Sequence, residues 1–136
     1  MATTFIDIVR KPDYSDLDLD FIAHPTTGDV MKKTGHDAIK RSIRNLIFTN
    51  FMDRVFQPST GGNVKGQLFE NFSNIARITL ENSIKDVIKR HEPRVNLDKV
   101  TVNVNEDNNG FDVEIYYTIV NTNQKVGIGL FLERIR

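Results

Sequence analysis

Two hydrophobic rhythms divide the chain. In the first, Ile39, Ile43, Leu46 and Ile47 recur at i, i+4, i+7 and i+8, one stripe of an amphipathic helix. Lys40, Arg41 and Arg44 lie off the stripe; Gly35 and Asp37 open the segment, with Asp37 a possible cap, and it should run to about Thr49. A second helical face is supplied by Ile75, Ile78, Leu80, Ile84, Val87 and Ile88, with Asn71 or Ser73 placed to cap it. Pro93 disfavours helical geometry at Glu92, so this helix must stop near His91.

After Pro93 the period falls to two. Val100, Val102 and Val104 alternate with polar residues; so do Phe111 to Ile119 and Val126 to Leu132. Asn109-Gly110 closes a five-residue turn, and Asn121-Thr122-Asn123-Gln124 joins the last two runs. Such short connections predict an antiparallel three-stranded meander. The expected fold is α+β, with two main helices laid on one face of a small antiparallel sheet.

The remaining segments are less regular. Asp16, Asp18 and Asp20 alternate with Leu17, Leu19 and Phe21, the pattern of a half-buried strand. His24-Pro25-Thr26-Thr27-Gly28 is turn chemistry, and Val30-Met31 can begin a return strand. Residues 1–34 therefore read as a partly extended arm or hairpin on a single domain spanning 1–136. Residues 50–66 form a long connection with Pro58, Gly61, Gly62 and Gly66, followed by one helical turn at Gln67-Leu68-Phe69-Glu70.

Composition narrows the function classes. The chain has 136 residues and no cysteine, which removes disulfides, thiolate metal sites and a cysteine nucleophile. Eighteen basic residues balance eighteen acidic ones. The balance is uneven along the chain: residues 1–30 carry six acids and two bases, residues 31–94 twelve bases and six acids, and residues 95–136 four bases and six acids. The positive middle suits an acidic partner, but it also suits two helices with solvated basic faces. Nucleic-acid binding would want a larger excess. No basic-then-apolar leader and no apolar run long enough for a bilayer are seen, so neither secretion nor a membrane is expected.

Catalytic chemistry is thin. The three histidines, His24, His36 and His91, lack metal-ligand spacing, and Gly61 and Gly66 are not followed by the Lys and Ser/Thr of a phosphate loop. Glu70, Glu81 and Glu92 are the acids a glycosidase would draw on, without a context that separates two pKa values. No catalytic residue, metal ligand or cofactor is assigned.

Two features stand out. In Glu92-Pro93-Arg94 the proline fixes the backbone after a helix, so Arg94 leaves a defined corner. On physics alone this is a helix stop with an ordinary surface arginine; a fork held this way also suits a carboxylate or carbonyl partner. In the last strand, Gly127 and Gly129 leave one face partly bare. That edge either receives a strand from a partner or is covered by the amino-terminal arm.

The order of these pieces resembles the small baseplate wedge subunit of contractile phage tails, the sheath initiator, once labelled "lysozyme-like", with similar subunits in type VI secretion baseplates. The resemblance runs from Tyr14 to about Ile119. It rests on Asp16-Leu17-Asp18, the helix Ala38 to Ile47, Arg54-Val55-Phe56-Gln57-Pro58 with Gly61, Leu68-Phe69-Glu70-Asn71, and above all Glu92-Pro93-Arg94 before a valine-alternating strand. Thr60 and His91 stand where the family often has aromatics. The resemblance implies a non-enzymatic subunit of the virion tail baseplate, assembled in the host cytoplasm. It implies docking on the wedge core bundle through Glu92, Pro93 and Arg94, and templating of the first sheath ring by strand addition, placed here at Gly127 and Gly129. The alternative is a peptidoglycan hydrolase, following the old label.

Overall fold

The computed structural model describes residues 14–134. A small hairpin comes first, β1 (Ser15–Leu17) paired antiparallel with β2 (Lys32–Thr34). Then follow α1 (Gly35–Phe48), the one-turn α2 (Val64–Gln67) and α3 (Asn74–His91). The chain ends in a second sheet of order β3-β4-β5: β3 (Val95–Asn105), β4 (Gly110–Ile119) and β5 (Lys125–Glu133). The α+β meander expected from the periodicities is the observed architecture. Residues 1–13 of the anticipated arm lie outside the described residues.

The core forms where the two rhythms meet. Ile39, Ile43 and Ile47 of α1, with Leu80, Ile84 and Ile88 of α3, pack on Val100, Val102, Val113, Ile115 and Ile128 of the sheet. Phe111 and Tyr117 are the largest fully buried side chains, both on the central strand, and Phe72 meets Phe111 edge-on at 5.2 Å. Ser73 caps α3, its hydroxyl accepting the Ala76 N–H at 3.0 Å.

Four local expectations are corrected. Asp37 lies in the first turn of α1, and Thr34 occupies the cap position. The single helical turn falls at Val64–Gln67, one turn earlier than the Gln67–Glu70 pattern suggested. Ile75 and Ile78 are 77 % and 50 % exposed, because the inward face of α3 is set by Ala76, Leu80, Ile84 and Ile88. The arm strand is shorter than the alternation suggested and ends at Leu17; Leu17, Leu19 and Phe21 face solvent while Asp18 is only 5 % exposed.

The long connection closes on itself through two glycines. Gly61, at φ +107°, has its Cβ direction filled by the Thr49 carbonyl oxygen at 2.3 Å, and Gly62 by the Val87 side chain at 2.3 Å. Only glycine permits that approach of the returning chain to α1 and α3. The lobe beyond this neck presents Met52, Val55 and Phe56 to solvent.

This packing separates two isoleucines on one helix. Ile84→Ala should cost about 3 kcal/mol by emptying core volume. Ile75→Ala should stay within about 0.5 kcal/mol. Urea unfolding of both variants checks the difference, and equal losses would mean that α3 is rotated from the orientation described.

Candidate docking site

The sequence singled out a corner and an edge, and the structure places them at different parts of the sheet. At the corner α3 ends because Pro93 has no N–H to continue it; the Glu92 N–H still donates to the Ile88 carbonyl at 2.9 Å. Glu92 turns inward and is 3 % exposed, Pro93 is exposed and Arg94 is partly exposed.

The buried carboxylate is fully engaged. Arg94 forks onto it, Nε to Oε1 at 2.6 Å and Nη2 to Oε2 at 2.9 Å, and Ser42 of α1 donates its hydroxyl to Oε2 at 2.5 Å. The remaining Arg94 nitrogen, Nη1, donates to both Asp16 oxygens at 3.2 and 3.1 Å, and the guanidinium lies 5.5 Å from the Tyr14 ring centroid. One arginine thus joins the α3–β3 corner to β1, while its partner Glu92 joins it to α1.

The energetics follow from the partners. Burial pushes the Glu92 carboxyl up, but the hydrogen bonds from Arg94 and Ser42 and the arginine charge outweigh it and hold the group below its ordinary 4.5. The Arg94 guanidinium is bound more firmly to its proton, chiefly by the hydrogen bond to Glu92. Beneath the corner, the buried Tyr117 hydroxyl is pushed up to about 12, first by desolvation and then by the negative charge of Glu92 and Asp37.

The same pattern continues along the arm. Asp18 accepts the Asp20 N–H at 3.1 Å and pairs with Lys33 at 3.2 Å, and Asp20 pairs with Arg41 of α1. The Asp18 carboxyl is held below its ordinary value, first by the Asp20 N–H and then, against the cost of burial, by Lys33. Ser42, Asp16 and Tyr14 were not singled out as partners of the corner. No spacing signal could have found them, since Asp16 and Arg94 are 78 positions apart.

The edge site is a matter of main-chain direction. β4 and β5 pair with Ile115 opposite Ile128 and Val113 opposite Leu130. Just past the two ends of this ladder, Ile119 N–H donates to Gln124 at 3.0 Å and Arg134 N–H to Asn109 at 2.9 Å. In an antiparallel ladder hydrogen-bonded pairs alternate with non-bonded ones. Counting from either end, the even residues of β5 point their N–H and C=O groups at β4. The odd ones, Gly127, Gly129 and Phe131 among them, point theirs away from the sheet. No further strand pairs with β5 among the described residues.

The opposite edge is guarded differently. β3 carries a register irregularity between Leu97 and Lys99, and a bulge of this kind bends an edge away from flat pairing. β5 has no shift of register, and its charges sit at its two ends, Lys125 and Glu133. Beside Gly129 the space where a Cβ would stand is open, whereas a Cβ at Gly127 would touch the Tyr116 ring at 3.1 Å.

Other chemistry is sparse. Among the described residues no three His, Asp or Glu side chains are grouped to hold a metal, and no helix is long and apolar enough to cross a membrane. The His24 ring nitrogen caps its own turn, accepting the Thr26 N–H at 3.2 Å, and Glu81 is paired with Lys85 one helical turn on.

Comparison with known proteins gives a consistent outcome. Residues 33–124 match the family model of the baseplate wedge protein gp25, a span that includes the corner and stops just before β5. The baseplate wedge protein gp25 of Enterobacteria phage T4 is 33 % identical over 109 residues, 79 % of this chain and 80 % of that protein. Among solved structures, a Geobacter sulfurreducens protein labelled a tail lysozyme superposes with a TM-score of 0.69 at 24 % identity, covering 74 % of this chain and 91 % of that one. A chain of the anti-feeding prophage baseplate gives 0.64 at 22 % identity, covering 91 % and 88 %. A chain of the postcontracted pyocin R2 baseplate gives 0.54 at 16 %, covering 87 % and 98 %. These structural likenesses show the fold.

The corner generates a stability prediction. Arg94→Ala leaves Glu92 buried without its counter-ion and should cost on the order of 3 kcal/mol. Because the native Glu92 carboxyl sits below 4.5, its stabilisation is complete above that pH and is lost as pH falls through the lower native value. Glu92→Gln should therefore be less stable at pH 7 and show a shallower loss between pH 5 and 3. Thermal melts across that range measure both; an unchanged slope would remove Glu92 from the acid response.

Proposed function

The chain belongs to the baseplate wedge protein gp25 family and is a baseplate subunit of a contractile tail; from that premise we propose that it docks on the wedge core bundle at the Glu92-Pro93-Arg94 corner and templates the first sheath ring at the β5 edge. The observation that carries the reading is the row of outward main-chain groups at Gly127, Gly129 and Phe131. A row of unpaired amides and carbonyls gives affinity to an arriving strand with little demand on its sequence. A template needs that property, because each sheath subunit must begin from a fixed geometry.

The corner suits the second contact for a different reason. Pro93 is exposed and its backbone is held between a helix end and a strand start, so it presents a rigid shape. Arg94 keeps part of its surface open while its fork is pinned to Glu92. A partner carboxylate or carbonyl would meet an arginine already oriented, with little side-chain entropy left to lose.

We read the subunit as non-catalytic. A glycosidase needs an acid whose pKa is raised so that it holds a proton near neutrality. Asp18 and Glu92 are both moved the other way, by hydrogen bonds and cations. Purified protein incubated with peptidoglycan should release no muropeptides; release that Glu92→Gln abolishes would restore the hydrolase reading.

Reconstitution of the baseplate separates the two contacts. Arg94→Lys keeps a cation for Glu92 but loses the fork, so the variant should fold and yet be depleted from wedge complexes by ten-fold or more. Gly129→Pro removes an outward N–H, and proline is tolerated on an edge when its missing donor faces solvent. Its baseplates should contain the subunit and lack sheath. Ile128→Pro breaks an inward pairing and should not fold. Normal sheath on Gly129→Pro baseplates would show that the template lies elsewhere.

A further inference from the structure

At the carboxy-terminal end of β5 the surface opens into an apolar groove of about 360 Å³. Its floor is Ile47 from the last turn of α1 with Val64 and Leu68 at α2, all of them nearly inaccessible. Phe131 and Leu132 border it along β5, and Lys65 and Glu133 stand at the rim. The groove borders residues from both faces of β5, Leu132 on the helix side and Phe131 on the other. Since β5 is the last strand of its sheet among the described residues, such a groove flanks the edge that no described strand covers.

The position has a consequence for any strand added there. Side chains on an added strand alternate between the two faces, and neighbours on one face stand about 5 Å apart across the pairing. A residue added beside Leu132 on the helix side points toward the last turn of α1, into this groove. Its surroundings are apolar below and oppositely charged at the rim, so a large apolar side chain is matched and a charged one is not.

We infer that the groove is the side-chain socket of the strand that β5 receives, and that its occupant is a large apolar residue on an extended segment of the incoming subunit. This rests on the reading of the β5 edge as the template. The edge amides supply pairing without sequence preference, and the socket supplies register: a one-residue slip would turn the apolar side chain to the opposite face.

The absence of cysteine allows a clean test. Lys65→Cys places a single thiol on the exposed rim, and fluorescein maleimide attached after folding covers the socket without repacking it. The probe is purified sheath protein of the same tail, its association measured with labelled and unlabelled subunit. Unlabelled Lys65→Cys is the reference, and the labelled form should bind at least ten-fold more weakly than it. The same label at Asn103→Cys, on the exposed face of β3, should change nothing. Full binding by labelled Lys65→Cys, with binding lost in Gly129→Pro, would overturn the socket and leave the edge standing. Full binding by Gly129→Pro would overturn the edge reading and the socket with it. A label at Lys65→Cys that abolishes only self-association would assign the groove to a second copy of this chain and equally overturn the inference.

Discussion

Everything else in this subunit is arranged around one buried carboxylate. Glu92 sits where α3 must end and β3 must begin, and Pro93 leaves the backbone little freedom there. A carboxylate in that position is tolerable only if its charge is met, and Arg94 and Ser42 meet it from two directions. Because Ser42 belongs to α1 and the arginine reaches Asp16, the requirement to satisfy one charge also sets how the helices and the arm sit against the sheet.

The uneven charge along the chain finds its explanation in the same contacts. The basic middle and the acidic amino-terminal stretch meet within the chain, through Arg94 with Asp16 and Arg41 with Asp20. Within the hairpin itself, Lys33 answers Asp18. Part of what looked like a surface for an acidic partner is therefore used internally. Of these acids only Asp18 is buried; the strand ends at Leu17, and Leu17, Leu19 and Phe21 are all exposed. Phe21 adopts a positive φ of 52° while 70 % exposed, an unusual conformation for a bulky residue.

The sheet divides its two edges by similar logic. One is irregular and bulged at Leu97/Lys99; the other is regular, has glycines at its middle, and turns alternate amides away from the sheet, where no strand pairs with them among the described residues. An unguarded edge invites aggregation, and soluble proteins usually bend or charge it. On the function proposed above, this edge and the apolar groove beside it are kept for an incoming strand. The rigidity of the core behind it, with Tyr117 and Phe111 fully enclosed on the central strand, keeps that edge in one shape.

What the sequence determined by itself was the set of elements whose signal is local. The isoleucine spacing of α1, the stop at Pro93 and the alternation in β3, β4 and β5 report on backbone period, and period survives any tertiary arrangement. The corner and the glycine edge were legible too, because proline and glycine act on their own backbone. The tertiary structure alone decided phase and partnership. Alternating Asp and Leu in the arm is the same pattern whichever side faces in, and the answer depended on cations brought up by the fold, Lys33 at Asp18, Arg41 at Asp20 and Arg94 at Asp16. Ile75 and Ile78 fit the helical stripe but lie where α3 has nothing to cover them. Which β5 amides point outward follows from its pairing with β4, a relation between two strands that neither strand's residues encode alone.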